Sequence, residues 1–458
     1  MRIILLSGGS GKRLWPLSND YRSKQFIKVM AAQDWSEVAQ TSMIQRVWAK
    51  LKEHGLAQYT VIAASKAQQE IIQSQIGHEI PLVLEPSRKD TFPAICLASS
   101  FLSSEMKVDA DEVIVVMPVD VDADDSFFAS IKQLAIQFND TVGNLGLMGL
   151  TPTYPSEKFG YILAGAVHEQ SKLLQIDRFV EKPSAEEAAV LINQGALWNC
   201  GVFAFRLQYM LDLLKAGSWP ADYGSLQLQY ANLPSISFDY QVVERERNIL
   251  VYPYDGRWSD LGTWDEWTET MPQHLNGKGI ISEDSVNTYI INELQIPVVV
   301  MGITDAIVAA SPDGILVIDR ASSPRLKDLV QPISMRPMYE ETEYGWYRVI
   351  DEENQPDGRQ IVTKRVHIWA GKQISYHKHE FRDEIWTFIS GTAEVLVNER
   401  RLLAKAGDVI HIPAGSKHAI KAIDPVNLIE VQIGDHIGES DICRYEYDWD
   451  ERKQARKG

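Results

Sequence analysis

The first 150 residues repeat one pattern: a short apolar run, then an amphipathic or polar stretch. The runs 3–6, 60–64, 82–84, 113–117 and 145–150 have strand length, and segments of helical periodicity such as 41–52 lie between them. Unbroken apolar runs suit strands buried on both faces, and intervening helices supply the crossovers of a parallel sheet. The pattern predicts an α/β domain with a parallel sheet flanked by helices. Ligands bind such sheets beyond the carboxyl ends of the strands, so the segments just after the runs are where chemistry is expected.

The texture changes near residue 275. Strand-like runs at 289–291, 298–301, 306–310 and 315–317 recur at short intervals between polar or Gly/Pro/Asp turns, which fits a short β-solenoid or a meander. Residues 321–342 carry Pro324, Pro332 and Pro337 with little apolar periodicity and read as a linker. Beyond it, alternating stretches such as 394–397 and 408–412 predict a small β-barrel. The expected division is 1–270, 271–330 and 331–458, which suits a length of 458 residues, more than one hydrophobic core sustains.

Charge narrows the functions. A net charge of −17 repels nucleic acid and anionic membrane, and neither is expected as a partner; a phosphorylated small substrate needs only a basic pocket. Cys96, Cys200 and Cys443 are far apart and odd in number, so no disulfide framework follows and a reducing compartment is expected. The apolar run at 3–6 is too short for a signal peptide and no stretch is long enough to span a bilayer, which together predict a cytoplasmic protein.

The first run ends in Ser7-Gly8-Gly9-Ser10-Gly11-Lys12-Arg13. Glycines let backbone N–H groups approach a phosphate, and a following helix start adds a favourable dipole. Arg13 stands where a Walker loop needs Ser or Thr, and Leu14 where a dinucleotide fingerprint needs Gly or Ala, so neither generic motif fits. The longer segment SGGSGKRLWPLSNDYRSKQF resembles the signature of nucleotide-sugar pyrophosphorylases, in the mannose-1-phosphate guanylyltransferase branch. Lys12 and Ser23 stand where many relatives carry Thr and Pro.

That resemblance implies a Rossmann-like α/β domain with a mixed, mostly parallel sheet, and a nucleotidyltransferase that joins GTP and mannose 1-phosphate into GDP-mannose and pyrophosphate. It also implies a homodimer or higher homo-oligomer. Residues Ser7 to Arg13 would hold the nucleotide, with Arg13 and Lys24 on the triphosphate. The segment EPSRKDTFPAI brings Glu85 and Arg88 to the base. Asp120, ending VMPVD, and Asp260, in GRWSDLGTW, match the family's Mg²⁺ ligands, and Mg²⁺ needs only one or two carboxylates plus substrate phosphates. Gly160, Glu181, Lys182 and Asn199 match the sugar-phosphate motifs PSEKFGYI, FVEKP and LWNCGVF, and SFDY at 237–240 matches a further segment on the sugar side. Arg13, Lys24, Asp120, Lys182 and Asp260 are the expected catalytic set. Phosphoryl transfer of this kind is mostly positioning and charge stabilisation, which suits such a set.

Near the C-terminus, Gly371-x5-His377-x-His379-x4-Glu384-x6-Gly391 and Gly407-x5-Pro413-x-Gly415-x2-His418 resemble the two cupin motifs; Ala422 replaces the Asn that usually ends the second. Alternate residues of a strand share a face, so His377 and His379 are expected to point together, completed by Glu384 and His418. Imidazole and carboxylate suit a divalent transition metal: Zn, Mn, Fe, Co or Ni. The resemblance is to the isomerase half of bifunctional mannose-6-phosphate isomerase/guanylyltransferases. It leaves two expectations open: a second, isomerase activity, or a cupin serving structure or sugar sensing.

Overall fold

The computed structural model describes residues 1–9, 12–28, 30–31, 40–167, 172–333 and 335–449. Contacts divide the chain into two units, 1–274 with 318–328, and 275–317 with 329–458. Chain order is thus not followed strictly: 318–328 pack with the first unit.

The first unit is built on a nine-stranded sheet. From one edge it runs Leu82–Glu85, Thr60–Ser65, Arg2–Ser7, Val113–Pro118, Leu197–Arg206, Leu145–Leu150, Ile249–Tyr254, Leu174–Val180 and Tyr161–Val167. The first four strands are parallel. Leu197–Arg206 then enters antiparallel to both its neighbours, and Leu174–Val180 is antiparallel to both of its own. Only one further parallel pair follows, Leu145–Leu150 with Ile249–Tyr254.

The sheet is therefore mixed, and the expectation of a mostly parallel sheet holds for its N-terminal part alone. The reason is physical: apolar periodicity reports burial, not strand direction, and an antiparallel strand buried on both faces reads like a parallel one. That burial is explicit in Arg2–Ser7, where Ile3 and Leu5 join one core cluster and Ile4 and Leu6 the other. Helices cover the faces. Met43–Glu53 starts at Ser42, whose side chain and that of Gln45 form a reciprocal capping box, and it buries Val47, Trp48 and Leu51.

The stretch read as a linker, 321–342, is partly regular. Arg320–Arg325 form a 3₁₀ turn capped by Asp319, and Arg320 Nε reaches Asp265 Oδ1 at 2.6 Å. Tyr339–Glu341 form a strand. Prolines argued for a linker, but a short 3₁₀ turn accepts Pro324 and has no α-helical apolar repeat to detect.

In the second unit, Leu275–Gly277, Tyr289–Asn292 and Ala306–Ser311 stack in parallel, and Gly279–Ile281 pairs in parallel with Val298–Val300. Ile290, Val300 and Val308 fill the space within. Gly277, at φ +93°, is required: a Cβ there would fall 2.0 Å from Asn292 O. The rest of this unit consists of two antiparallel sheets of six and five strands. Their inner faces meet over Val366, Ile368, Trp386, Phe388, Val395 and Ile420.

Candidate active site and candidate metal centre

A cavity of about 570 Å³ lies beyond the carboxyl ends of the parallel strands. Its floor is the glycine turn after Arg2–Ser7. Gly8 and Gly9 face open space, so backbone is exposed there without a side chain in the way. The Lys24-Gln25-Phe26 turn braces this loop: Gln25 Nε2 donates to Ser7 Oγ at 3.1 Å and Ser23 Oγ to Gly9 O at 3.1 Å. Gln68 Nε2 in turn holds Ser23 Oγ at 3.0 Å. Lys12 and Arg13 lie on the turn Lys12–Leu14, and Arg13 is exposed on the cavity wall. Ser10 and Gly11 lie outside the described residues.

The two motif aspartates, 140 residues apart in sequence, meet at one lysine. Lys24 Nζ sits 2.7 Å from Asp120 Oδ2 and donates to the backbone carbonyl of Asp260 at 2.6 Å. A two-residue antiparallel ladder, Trp258–Ser259 on Asp122–Ala123, brings the two arms together. Buried Asp122 locks it, 2.7 Å from Arg257 Nη1 and 3.3 Å from Arg46 Nη2. Burial pushes the Asp260 carboxyl up, Lys24 pulls it down, and Glu266 and Asp120 raise it again. That mutual repulsion is what a shared cation would relieve.

At the far wall, Glu85 ends the Leu82–Glu85 strand, buried, and accepts from Tyr230 Oη at 2.6 Å. Arg88 stands nearby, 3.0 Å from Asp20 Oδ1. The sugar-side residues form an adjoining cluster. Asn199 Nδ2 donates to Asp239 Oδ1 at 2.7 Å, and Asn199 N to Gly160 O at 2.8 Å. Lys182, at φ +48°, pairs with Glu181, and its ammonium lies 5.6 Å from the Tyr240 ring centre. Gly160 is a close approach: a Cβ would lie 2.6 Å from both Glu181 Oε2 and Phe179 Cζ. Pro118 lines the cavity, and a Cβ on Gly201 would stand 3.9 Å from its ring, so strand neighbours join the cluster to the cavity.

Asp239 opens a π-helical turn, Asp239–Val243. Burial first, then repulsion from Glu181, lifts its carboxyl to about 7, with Lys182 and Asn199 opposing. Two residues here escaped a role in the sequence reading. Asp239 lay in a noted motif without an assignment, and Tyr230 lay in none; a tyrosine in a short helical stretch carries no signal of its own. A second hollow of about 560 Å³, beside Tyr254 and Asp255, holds none of the candidate residues.

In the barrel, His377 lies on the Gln373–Lys378 strand and sits opposite His418 in register. His379 follows one residue beyond the strand, and Glu384 lies on Arg382–Ser390. All four are buried. The three imidazoles offer ligand atoms within 4.8 Å of one another. His377 Nε2 and His379 Nε2 are 3.1 Å apart, His379 Nε2 is 3.0 Å from Glu384 Oε1, and His418 Nε2 is 3.4 Å from Glu384 Oε2.

The opposite ring nitrogens decide the tautomers. Nδ1 of His377 faces Ser375 O at 2.6 Å, that of His379 faces Asp441 O at 3.1 Å, and that of His418 faces Ser416 O at 3.0 Å. A carbonyl only accepts, so each Nδ1 carries a proton and each Nε2 is the nitrogen turned inward. Burial, then repulsion from His418, drives His377 down to about 3, so its ring is neutral. The three Nε2 atoms converge beside Glu384, and backbone-fixed Nδ1–H groups are the usual support of metal-bound histidines. The donor set thus fits a divalent transition metal.

The surroundings are polar and fixed. Glu384 Oε1 accepts from Gln432 Nε2 at 2.8 Å and Oε2 from Trp386 Nε1 at 3.1 Å. Arg382, also buried, places Nη2 3.2 Å from His379 Nε2. Glu430, sharing the Trp386 N–H, is pushed up to about 7 by burial and then by Glu384.

An open glycine turn, paired cations and carboxylates, and a mixed α/β sheet lie together, and the family comparison gives the class they belong to. The nucleotidyl transferase family model matches residues 2–277, and the chain belongs to that family. Residues 336–447 match the mannose-6-phosphate isomerase C-terminal family. Within this class the full-length relatives are specific. The chain is 30% identical to the xanthan biosynthesis protein XanB of Xanthomonas campestris pv. campestris strain B100, over 97% of each chain. It is 28% identical to the mannose-1-phosphate guanylyltransferase ManC of Salmonella typhimurium, again over 97% of each. A crystal structure from Thermus thermophilus, titled a mannose-1-phosphate geranyltransferase, superposes with a TM-score of 0.59 at 26% identity, covering 72% of this chain and 98% of that one.

Proposed function

We propose that this chain makes GDP-mannose. A phosphate oxygen of mannose 1-phosphate attacks the α-phosphorus of GTP, the α–β bridging P–O bond breaks, and pyrophosphate leaves. The observation that carries this reading is Lys24, whose one ammonium touches Asp120 and the Asp260 backbone beside the glycine turn. Negative charge grows on both sides of the α-phosphorus, and a preorganised cation there stabilises the transition state.

Each group then has a task. The backbone of Gly8 and Gly9 receives the phosphates, and Arg13 and Lys24 neutralise the triphosphate and the departing pyrophosphate. Asp120 and Asp260 would hold Mg²⁺, which supplies further charge neutralisation when bound. Glu85 accepts N–H groups of the base. Lys182 takes the sugar 1-phosphate once that phosphate displaces Glu181, while Asn199 and Glu181 hold sugar hydroxyls. A matrix of nucleoside triphosphates against sugar 1-phosphates, with Mg²⁺ and pyrophosphate release as readout, tests the reading. GTP with mannose 1-phosphate is expected to turn over fastest; preference for another pair would overturn it.

In the second unit, His377, His379, His418 and Glu384 would hold a divalent transition metal, and the stacked strands of 275–310 read as a short solenoid that separates the two domains in sequence. The match of 336–447 to an isomerase C-terminal family favours a second activity, interconversion of mannose 6-phosphate and fructose 6-phosphate. Metal-loaded protein that leaves mannose 6-phosphate unchanged would reduce the barrel to a structural or sugar-sensing role.

A further inference from the structure

The segment 227–238 is fastened to the wall of the nucleotide cavity at several points. Gln227 Nε2 donates to Leu84 O at 3.5 Å, Lys89 Nζ to Leu233 O at 2.6 Å, and Phe238 N to Thr91 Oγ1 at 2.8 Å. In the middle stands Tyr230, 1% exposed, with its hydroxyl 2.6 Å from Glu85 Oε2. Such a ring has no other place to go: its segment is pinned on both sides of it.

A carboxylate is acceptor-only, with two oxygens. Tyr230 engages one of them and so restrains where the carboxylate points, while Glu85 faces the cavity. The remaining acceptor capacity can be satisfied only by a donor. Guanine offers N1–H and an amino group on one edge. Adenine offers a lone pair at N1, which a carboxylate repels.

We propose that Tyr230 is a positioning residue for base selection: by holding Glu85 Oε2 it aims the carboxylate at the donor edge of guanine and sets the preference for GTP over ATP. The proposal rests on the reading of Glu85 as the base acceptor.

Tyr230 also acts on the charge of Glu85. Burial pushes that carboxyl up, while the Tyr230 hydrogen bond and the Arg88 charge pull it down and Asp90 pushes it up again. Among the described residues, the charged or titratable groups acting on it are Arg88 and Asp90 on its own loop and Tyr230 from the opposite segment. A protonated Glu85 loses acceptor capacity, so affinity for GTP weakens as pH falls through its pKa.

Tyr230→Phe keeps the ring and removes the hydroxyl. It is expected to raise KM for GTP about tenfold with a much smaller change in kcat, and to lower the GTP-to-ATP ratio of kcat/KM by a similar factor. The acid limb of the GTP KM should move to higher pH, because the charged form loses a donor. The ratio is read on one sample, so partial unfolding of the variant cancels. Glu85→Gln separates the two ideas. If it leaves the GTP preference intact, the base-acceptor reading fails. If it abolishes the preference while Tyr230→Phe keeps the parent KM, ratio and acid limb, the positioning role alone is overturned.

Discussion

Groups of opposite sign arrive already paired in the first unit: Lys24 with Asp120 in the cavity beside the glycine turn, and Lys182 with Glu181 in the adjoining cluster. In the barrel, groups of the same kind are forced together, three buried imidazoles converging beside one carboxylate. In the first arrangement each cation rests on a carboxylate that a phosphate can replace. In the second, burial and then repulsion from His418 keep His377 neutral, a ready donor to an ion. Substrate exchange needs the former; retention of an ion for the life of the protein needs the latter.

The sharpest way to break the contrast is at Lys24. Lys24→Ala is expected to cost about 10²–10³ in kcat for pyrophosphate release, the loss typical of one preorganised charge-stabilising group. A loss below tenfold would mean that its pairing with Asp120 is structural. In the barrel, His379→Ala removes one of four donors, and metal content by mass spectrometry should fall from about one ion per chain to a small fraction. GDP-mannose synthesis should stay at the parent rate; a matching collapse would show that the two centres are not independent.

Lys182→Ala is a milder test on the first side. Apparent affinity for mannose 1-phosphate should weaken about tenfold, the order of one charge-assisted contact, with KM for GTP little altered. Smaller still is the pH effect of Asp239. Its folded pKa, about 7, lies above its unfolded value, so it contributes stability below about pH 4 that is lost as pH rises to 7. Asp239→Asn keeps an acceptor for Asn199 and should flatten that limb in denaturant titrations, by on the order of 1 kcal/mol or more.

Residue identity was legible where chemistry forces it. The glycine turn and the His377-x-His379 spacing carry their own chemical reason, a phosphate and a metal, whereas Lys24, Asp120 and Asp260 were legible only through the resemblance to a family; the structure lines one cavity with Gly8, Gly9, Lys24, Asp120 and Asp260 and gathers the three histidines. What periodicity could not supply was direction and partnership. The antiparallel entry of Leu197–Arg206 leaves the same apolar trace as a parallel strand, and the regular turn at Arg320–Arg325 leaves none. Tyr230 and Asp239 matter through what they touch, Glu85 and Asn199, and such contacts between residues 40 and 145 positions apart have no local signature.

The small ladder between Asp122–Ala123 and Trp258–Ser259 carries one more implication. Asp120 hangs two residues before it and Asp260 one residue after it, so both acids depend on a single register. Side chains in extended backbone change face with every residue. Lengthening or shortening either arm by one position would swing its acid out of the cavity, whatever the residue inserted. This stretch of the gene should therefore accept exchanges of side chain far more readily than any change of length.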